Sequence, residues 1–124
     1  MEAIKILGTD DTPGIVLDAE NDVFEISGRS LPEDVTSFYE PVLNWLDEYS
    51  ENPKPKTEFV FKLTYFNTAS SKVLLDILMK LEDIHSTGKE VLVKWYYPDD
   101  DEDMQEAGEE YADIVDVNFE QLSC

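Results

Sequence analysis

Within three residues the chain changes its hydrophobic period. From Glu58 to Phe66 it alternates as a strand does, with Phe59, Phe61, Leu63 and Tyr65 on one face and Val60, Lys62, Thr64 and Phe66 on the other. From about Ala69 to His85 the apolar residues recur at helical spacing: Val73 or Leu74, Ile77 or Leu78, Leu81 and Ile84. Gly88 stops that helix, and Glu90 to Tyr97, centred on Val91-Leu92-Val93, reads as a second strand ended by Pro98. Strands alternating with helices favour right-handed crossovers and parallel pairing.

The remaining segments extend this unit. Ile4 to Leu7 is a short strand, and Gly8 to Gly14 is turn-rich. Ile15 to Asp18 and Val23 to Ile26 flank Ala19-Glu20-Asn21-Asp22, the signature of a β-hairpin. From Asp34 to Tyr49 the residues Val35, Phe38, Tyr39, Val42, Leu46 and Tyr49 fall on a helical stripe. Pro41 lies inside it and predicts a kink or a restart. Ser50 to Thr57, with Pro53 and Pro55, reads as a linker. Asp99 to Ala112 is acidic and helical in its second half, and Ile114 to Phe119 closes as a strand. The order β-ββ-α-β-α-β-α-β predicts an α/β fold: one domain over residues 1–124, with a mixed sheet packed by helices. Two Trp, six Tyr and six Phe in 124 residues supply a core of the size such a domain needs.

Charge narrows the partners. Twenty-nine acidic residues against nine basic ones give −20, which repels nucleic acid and anionic membrane surfaces. Cys124 is the sole cysteine, so no internal disulfide forms, as suits a reducing cytoplasm. No apolar run near the start is long enough for a signal peptide or a membrane helix, and we expect a cytoplasmic protein without a cofactor.

The strand-to-helix junction is the candidate site. Thr68-Ala69-Ser70-Ser71 occupies the helix entrance, Asn67 is placed as its N-cap, Ser71 can reach back, and Lys72 follows one turn on. A phosphate on Thr68 would meet the unpaired N–H groups and positive end of the helix. Asn67, Ser70, Ser71 and Lys72 would form the surrounding phosphate- or partner-binding surface. Ordinary capping accounts for the same residues. Arg29 and Ser30, in the loop leaving the hairpin, are a further candidate for the binding face, with Ser30 a second acceptor of phosphate.

Other chemistry is thin. Counted from Asp99, carboxylates fall on positions 1, 3 and 5 of a calcium loop (Asp99, Asp101, Asp103) and on position 12 (Glu110), but Met104 stands where the turn needs glycine. A metal-binding domain, or a constitutive acidic adaptor steered by total charge, are the rival readings. His85 has no catalytic companion, and Trp45 and Trp95 read as core. No phosphate-cradling glycine loop or Ser-His-Asp order is present, so no enzyme activity is predicted.

The run Phe61-Lys62-Leu63-Thr64-Tyr65-Phe66-Asn67-Thr68-Ala69-Ser70-Ser71-Lys72 resembles the central motif of the SiaC family of regulatory phosphoproteins. Gly14-Ile15-Val16-Leu17-Asp18, Phe24-Glu25-Ile26-Ser27-Gly28-Arg29-Ser30, Phe38 to Leu46 and Val93-Lys94-Trp95-Tyr96-Tyr97 match as well, so nearly the whole chain is covered. The resemblance implies a fold like the STAS domain of anti-sigma-factor antagonists, with Thr68 as the phosphoacceptor. It also implies a dedicated kinase, a PP2C-type phosphatase, and an unmodified form that activates a diguanylate cyclase. Through cyclic di-GMP that form would promote aggregation or biofilm formation.

Overall fold

The computed structural model describes residues 2–124. Six strands and three helices alternate as β1 (Ile4–Ile6), β2 (Gly14–Asp18), β3 (Val23–Ser30), α1 (Val35–Glu51), β4 (Lys56–Phe66), α2 (Thr68–Ser86), β5 (Glu90–Tyr97), α3 (Glu102–Ile114) and β6 (Asn118–Ser123). They form one sheet in the order β1-β2-β3-β4-β5-β6. The first two pairings are antiparallel and the last three parallel, giving the expected mixed sheet.

This order explains the layering. Each parallel pair is joined through one helix, and the chain always advances in the same direction across the sheet. Crossovers of one hand then stack every helix on one face. That face is the core: Ile15, Leu17, Phe24, Ile26, Phe59, Phe61, Val91, Val93 and Trp95 are buried under the helices. The predicted stripe of α2 is buried in full at Val73, Leu74, Ile77, Leu78, Leu81 and Ile84, and α1 contributes Tyr39, Val42, Trp45, Leu46 and Tyr49. No helix among the described residues is long and apolar enough to cross a membrane.

Several local expectations are corrected. α1 does not restart at Pro41 but runs through it as one helix, with Pro41 on its exposed side. β4 begins at Lys56, inside the predicted linker, where it meets Glu90 of β5. α3 already starts at Glu102, capped by Asp101, whose side chain accepts from Met104 N. It keeps Ile114, so β6 begins only at Asn118, where pairing with Leu92 becomes available.

The most consequential correction lies in β4. Gly28 of β3 pairs with Leu63, but its neighbour Arg29 pairs with Tyr65, so Thr64 is an extra residue in β4. An inserted residue reverses the pleat beyond it. Tyr65, placed by simple alternation on the same face as Phe59, Phe61 and Leu63, therefore turns away from them and is 47% exposed. Phe66, placed by the same alternation with Val60, Lys62 and Thr64, turns in against Trp95 and Tyr111. Gly28 has φ +94°, a conformation costly to any residue with a Cβ, and it makes this shift in register feasible.

Candidate functional site

The reversed pleat delivers the chain from Phe66 into α2. Asn67 is extended and caps the helix: its Oδ1 accepts from Ser70 N at 2.8 Å, and its carbonyl accepts from Ser71 N at 3.0 Å. Thr68 is the first helical residue and is exposed. The first turn of α2 carries no acidic residue, although the chain has 29. The positive end of the helix thus has no counter-charge from its own first turn. Ser71 Oγ donates back to the Thr68 carbonyl at 2.6 Å, and Lys72 is exposed one turn on.

Ser70 stands apart from this surface. Its side chain is fully buried, which corrects its placement on a partner-facing surface. The hydroxyl donates to the Ser30 carbonyl at 3.0 Å and accepts from Ser30 Oγ at 2.9 Å. Ser30, also fully buried, has its one hydroxyl hydrogen directed at Ser70, so the 2.6 Å contact with Tyr39 Oη must be donated by the tyrosine. A directed chain results, from Tyr39 to Ser30 to Ser70 and back to the Ser30 carbonyl. That carbonyl also accepts from Asn67 N at 3.1 Å. Burial pushes the Tyr39 phenol above its usual pKa, against the lowering effect of the Ser30 hydrogen bond. Ser30 and Ser70 are therefore the internal brace of the junction, and a kinase cannot reach either hydroxyl in this conformation.

A second brace comes from α3. Tyr111 Oη donates to the Ser71 carbonyl at 2.8 Å. Burial, reinforced by the charge of Glu110, pushes its pKa up to about 12, so it remains a donor at neutral pH. Phe66, Ser71, Lys72, Glu110, Tyr111 and Ile114 line a shallow hollow of about 240 Å³ beside it. Neither the Tyr39 nor the Tyr111 contact was visible from sequence spacing. Tyr111 and Ser71 are forty residues apart and meet only through the crossover, while Tyr39 and Ser30, nine apart, meet only because α1 packs back over the end of β3.

Arg29, on the next strand, makes a different contact. Its guanidinium lies 5.6 Å from the centre of the Tyr65 ring, and its Nε donates to the Asp10 carbonyl at 3.1 Å. The carboxylates proposed for calcium do not converge. Among the described residues no group of three or more His, Cys, Asp or Glu side chains is placed to hold a metal ion. Asp101 instead caps α3.

Thr68 thus stands exposed at a braced helix start, and among the described residues no metal-holding cluster lies beside it. The sequence profile of the SiaC family of regulatory phosphoproteins matches residues 6–124. The chain belongs to the SiaC family. An uncharacterised protein of Pseudomonas aeruginosa strain UCBPP-PA14 is 31% identical over 119 residues, covering 96% of this chain and 94% of that protein. The solved structure of SiaC from P. aeruginosa superimposes with a TM-score of 0.91 at 28% identity, covering all of both chains. Another, with a TM-score of 0.92 at 29% identity, covers 98% of this chain and 99% of that one. It belongs to a crystal structure of the diguanylate cyclase SiaD in complex with its activator SiaC, from the same organism. Like those proteins, this SiaC-family chain presents a mixed six-stranded sheet and three helices.

Proposed function

We propose that this protein is a non-enzymatic phospho-switch that binds and activates a diguanylate cyclase when Thr68 is unmodified. A partner kinase adds the phosphate and a PP2C-type phosphatase removes it. The reading rests above all on the exposure of Thr68 at an acid-free helix start whose neighbours Ser30 and Ser70 are sealed inside. The likeness to a SiaC chain solved with the cyclase it activates supports the choice of partner.

Phosphate changes the surface without dismantling the helix. It adds about −1.5 to −2 charges and three acceptor oxygens where backbone N–H groups accommodate an anion. On a face that a partner must desolvate, burying that dianion without full pairing costs several kcal/mol, or roughly a thousandfold in affinity. The experiment compares cyclase binding and cyclic di-GMP production with wild type, Thr68→Ala, Thr68→Asp and kinase-treated protein. Wild type and Thr68→Ala should activate, while Thr68→Asp and the phosphorylated form should not. Equal activation by all four would overturn the switch.

A further inference from the structure

The three helices leave the other face of the sheet bare, and its charge is unlike the rest of the molecule. By the alternation of the strands, Lys5, Arg29, Lys56, Lys62 and Lys94 point to this face, with Asp18, Glu25, Glu58, Glu90 and Glu120. These groups cancel, so the formal charge of −20 resides entirely elsewhere. Between them lie Val16, Val60, Leu92, Tyr96 and Leu122, all partly exposed.

We propose that this face is where two copies of the chain associate, related by a two-fold axis running parallel to the strands. The charge balance carries the first step. Any contact through the helices would bring strongly acidic surfaces together, whereas the bare face meets its copy without net repulsion.

Register carries the second step. One row across the sheet reads Lys5, Val16, Glu25, Val60, Lys94, Glu120 from β1 to β6. A two-fold axis along the strands sets β1 of one copy over β6 of the other, β2 over β5, and β3 over β4. Lys5 then faces Glu120, Val16 faces Lys94, and Glu25 faces Val60, so no charge in the row meets its like. At the end of the sheet nearest α2, Arg29 faces the other copy's Tyr65 by the same operation. Sheets packed face to face keep their strands within about 30° of each other, which preserves these rows.

The centre of the face is ready for desolvation. Lys62 is paired with Glu25 at 3.4 Å and lies 5.0 Å from the Tyr96 ring centre, and Lys94 is paired with Glu58 at 2.6 Å. Lys5 and Glu120 sit on the two edge strands, where an interface has its polar rim. Six strands at about 4.8 Å spacing, each about 20 Å long, give roughly 500 Å² per copy. Two such faces total roughly 1,000 Å², below the roughly 1,200 Å² at which stable specific interfaces begin, so the dimer is weak and concentration-dependent.

Sedimentation equilibrium of the full chain, from about 10 to about 500 µM at physiological salt, tests this range of affinity. The mass should rise from 14.2 kDa toward twice that value. Leu92→Asp should hold it at the monomer with an unchanged far-UV spectrum. Lys5→Glu and Glu120→Lys should each weaken association about tenfold, as expected for one reversed pair repeated by symmetry. The combined variant should restore it. A wild-type mass of 14.2 kDa throughout overturns the proposal. So does association that Leu92→Asp leaves intact, or a double reversal that fails to rescue. A monomeric wild type whose cyclase binding is lost in Leu92→Asp would assign the face to the cyclase instead.

Discussion

Ser70 Oγ and Ser30 Oγ lie 2.9 Å apart in the interior, forty residues apart in the chain, and they join the start of α2 to the end of β3. Both are fully buried, and the chain of hydroxyls they form with Tyr39 leaves no member unpaired. Removing one member strands another. We expect Ser70→Ala and Ser30→Ala each to cost about 1–3 kcal/mol, and the double variant to cost less than their sum. Urea denaturation of the four proteins closes the cycle, and strict additivity would show that the hydroxyls act independently.

The same burial makes a prediction about modification. Thr68 is exposed, whereas Ser70, two residues on, is sealed. Site-mapped mass spectrometry of protein from its native cell should find phosphate on Thr68 and none on Ser70 or Ser30. Substantial occupancy at Ser70 would mean that the junction opens far more readily than its hydrogen bonds allow.

The different fates of Thr68 and Ser70 mark how far the sequence could be read. Every strand and helix was legible, most clearly the buried stripe of α2 and the alternation of β4 up to Leu63, because these are local patterns. Sequence pattern located the junction and its Asn67 cap for the same reason. It did not reveal that Ser70 faces inward, because a serine in a first turn looks the same whether or not a distant hydroxyl waits for it. Nor did it reveal the exchange of Tyr65 and Phe66 between faces. The extra residue, Thr64, exists only relative to the pairing of Gly28 and Arg29 on another strand. The closeness of Gly108 to Trp95 was equally hidden, since it depends on how α3 sits on the sheet.

Gly108 itself supports a stability test. A Cβ placed there would lie 2.5 Å from Trp95 Cδ1 and 2.8 Å from Nε1. Trp95 is fully buried and is held by a 3.0 Å hydrogen bond from its Nε1 to the Met104 carbonyl, so it cannot withdraw cheaply. Gly108→Ala should improve helix propensity by about 1 kcal/mol in isolation, yet destabilise the protein by about 1–3 kcal/mol through overpacking. A lowered denaturation midpoint with altered tryptophan fluorescence is the expected result; a raised midpoint would show that α3 can shift outward freely.

Tyr111 links stability to alkaline pH. Its folded pKa is raised to about 12 from the ordinary value of 10.0, mainly by burial. The folded state therefore holds the phenolic proton more tightly than the unfolded state does. The resulting stabilisation is fully present below pH 10 and is lost as pH rises toward about 12. Tyr111→Phe removes this contribution along with the bond to the Ser71 carbonyl. The variant should be less stable at neutral pH, but its stability should fall less steeply between pH 10 and about 12 than that of wild type. Parallel denaturation curves at several pH values decide this, and identical slopes would remove Tyr111 as the source.

Phosphate at Thr68 should have opposite effects on folding and on docking, and this separates a switch from simple damage. The start of α2 is capped by Asn67 and has no acidic residue in its first turn, so a negative charge there gains from the helix dipole without meeting a like charge within the turn. Thr68→Asp should raise stability by about 0.3–1 kcal/mol at low ionic strength, and the gain should shrink as salt is added. The same substitution should weaken cyclase binding. If instead Thr68→Asp lowered both, the loss of binding would follow from a disrupted junction, and charge on an intact surface would no longer account for the control.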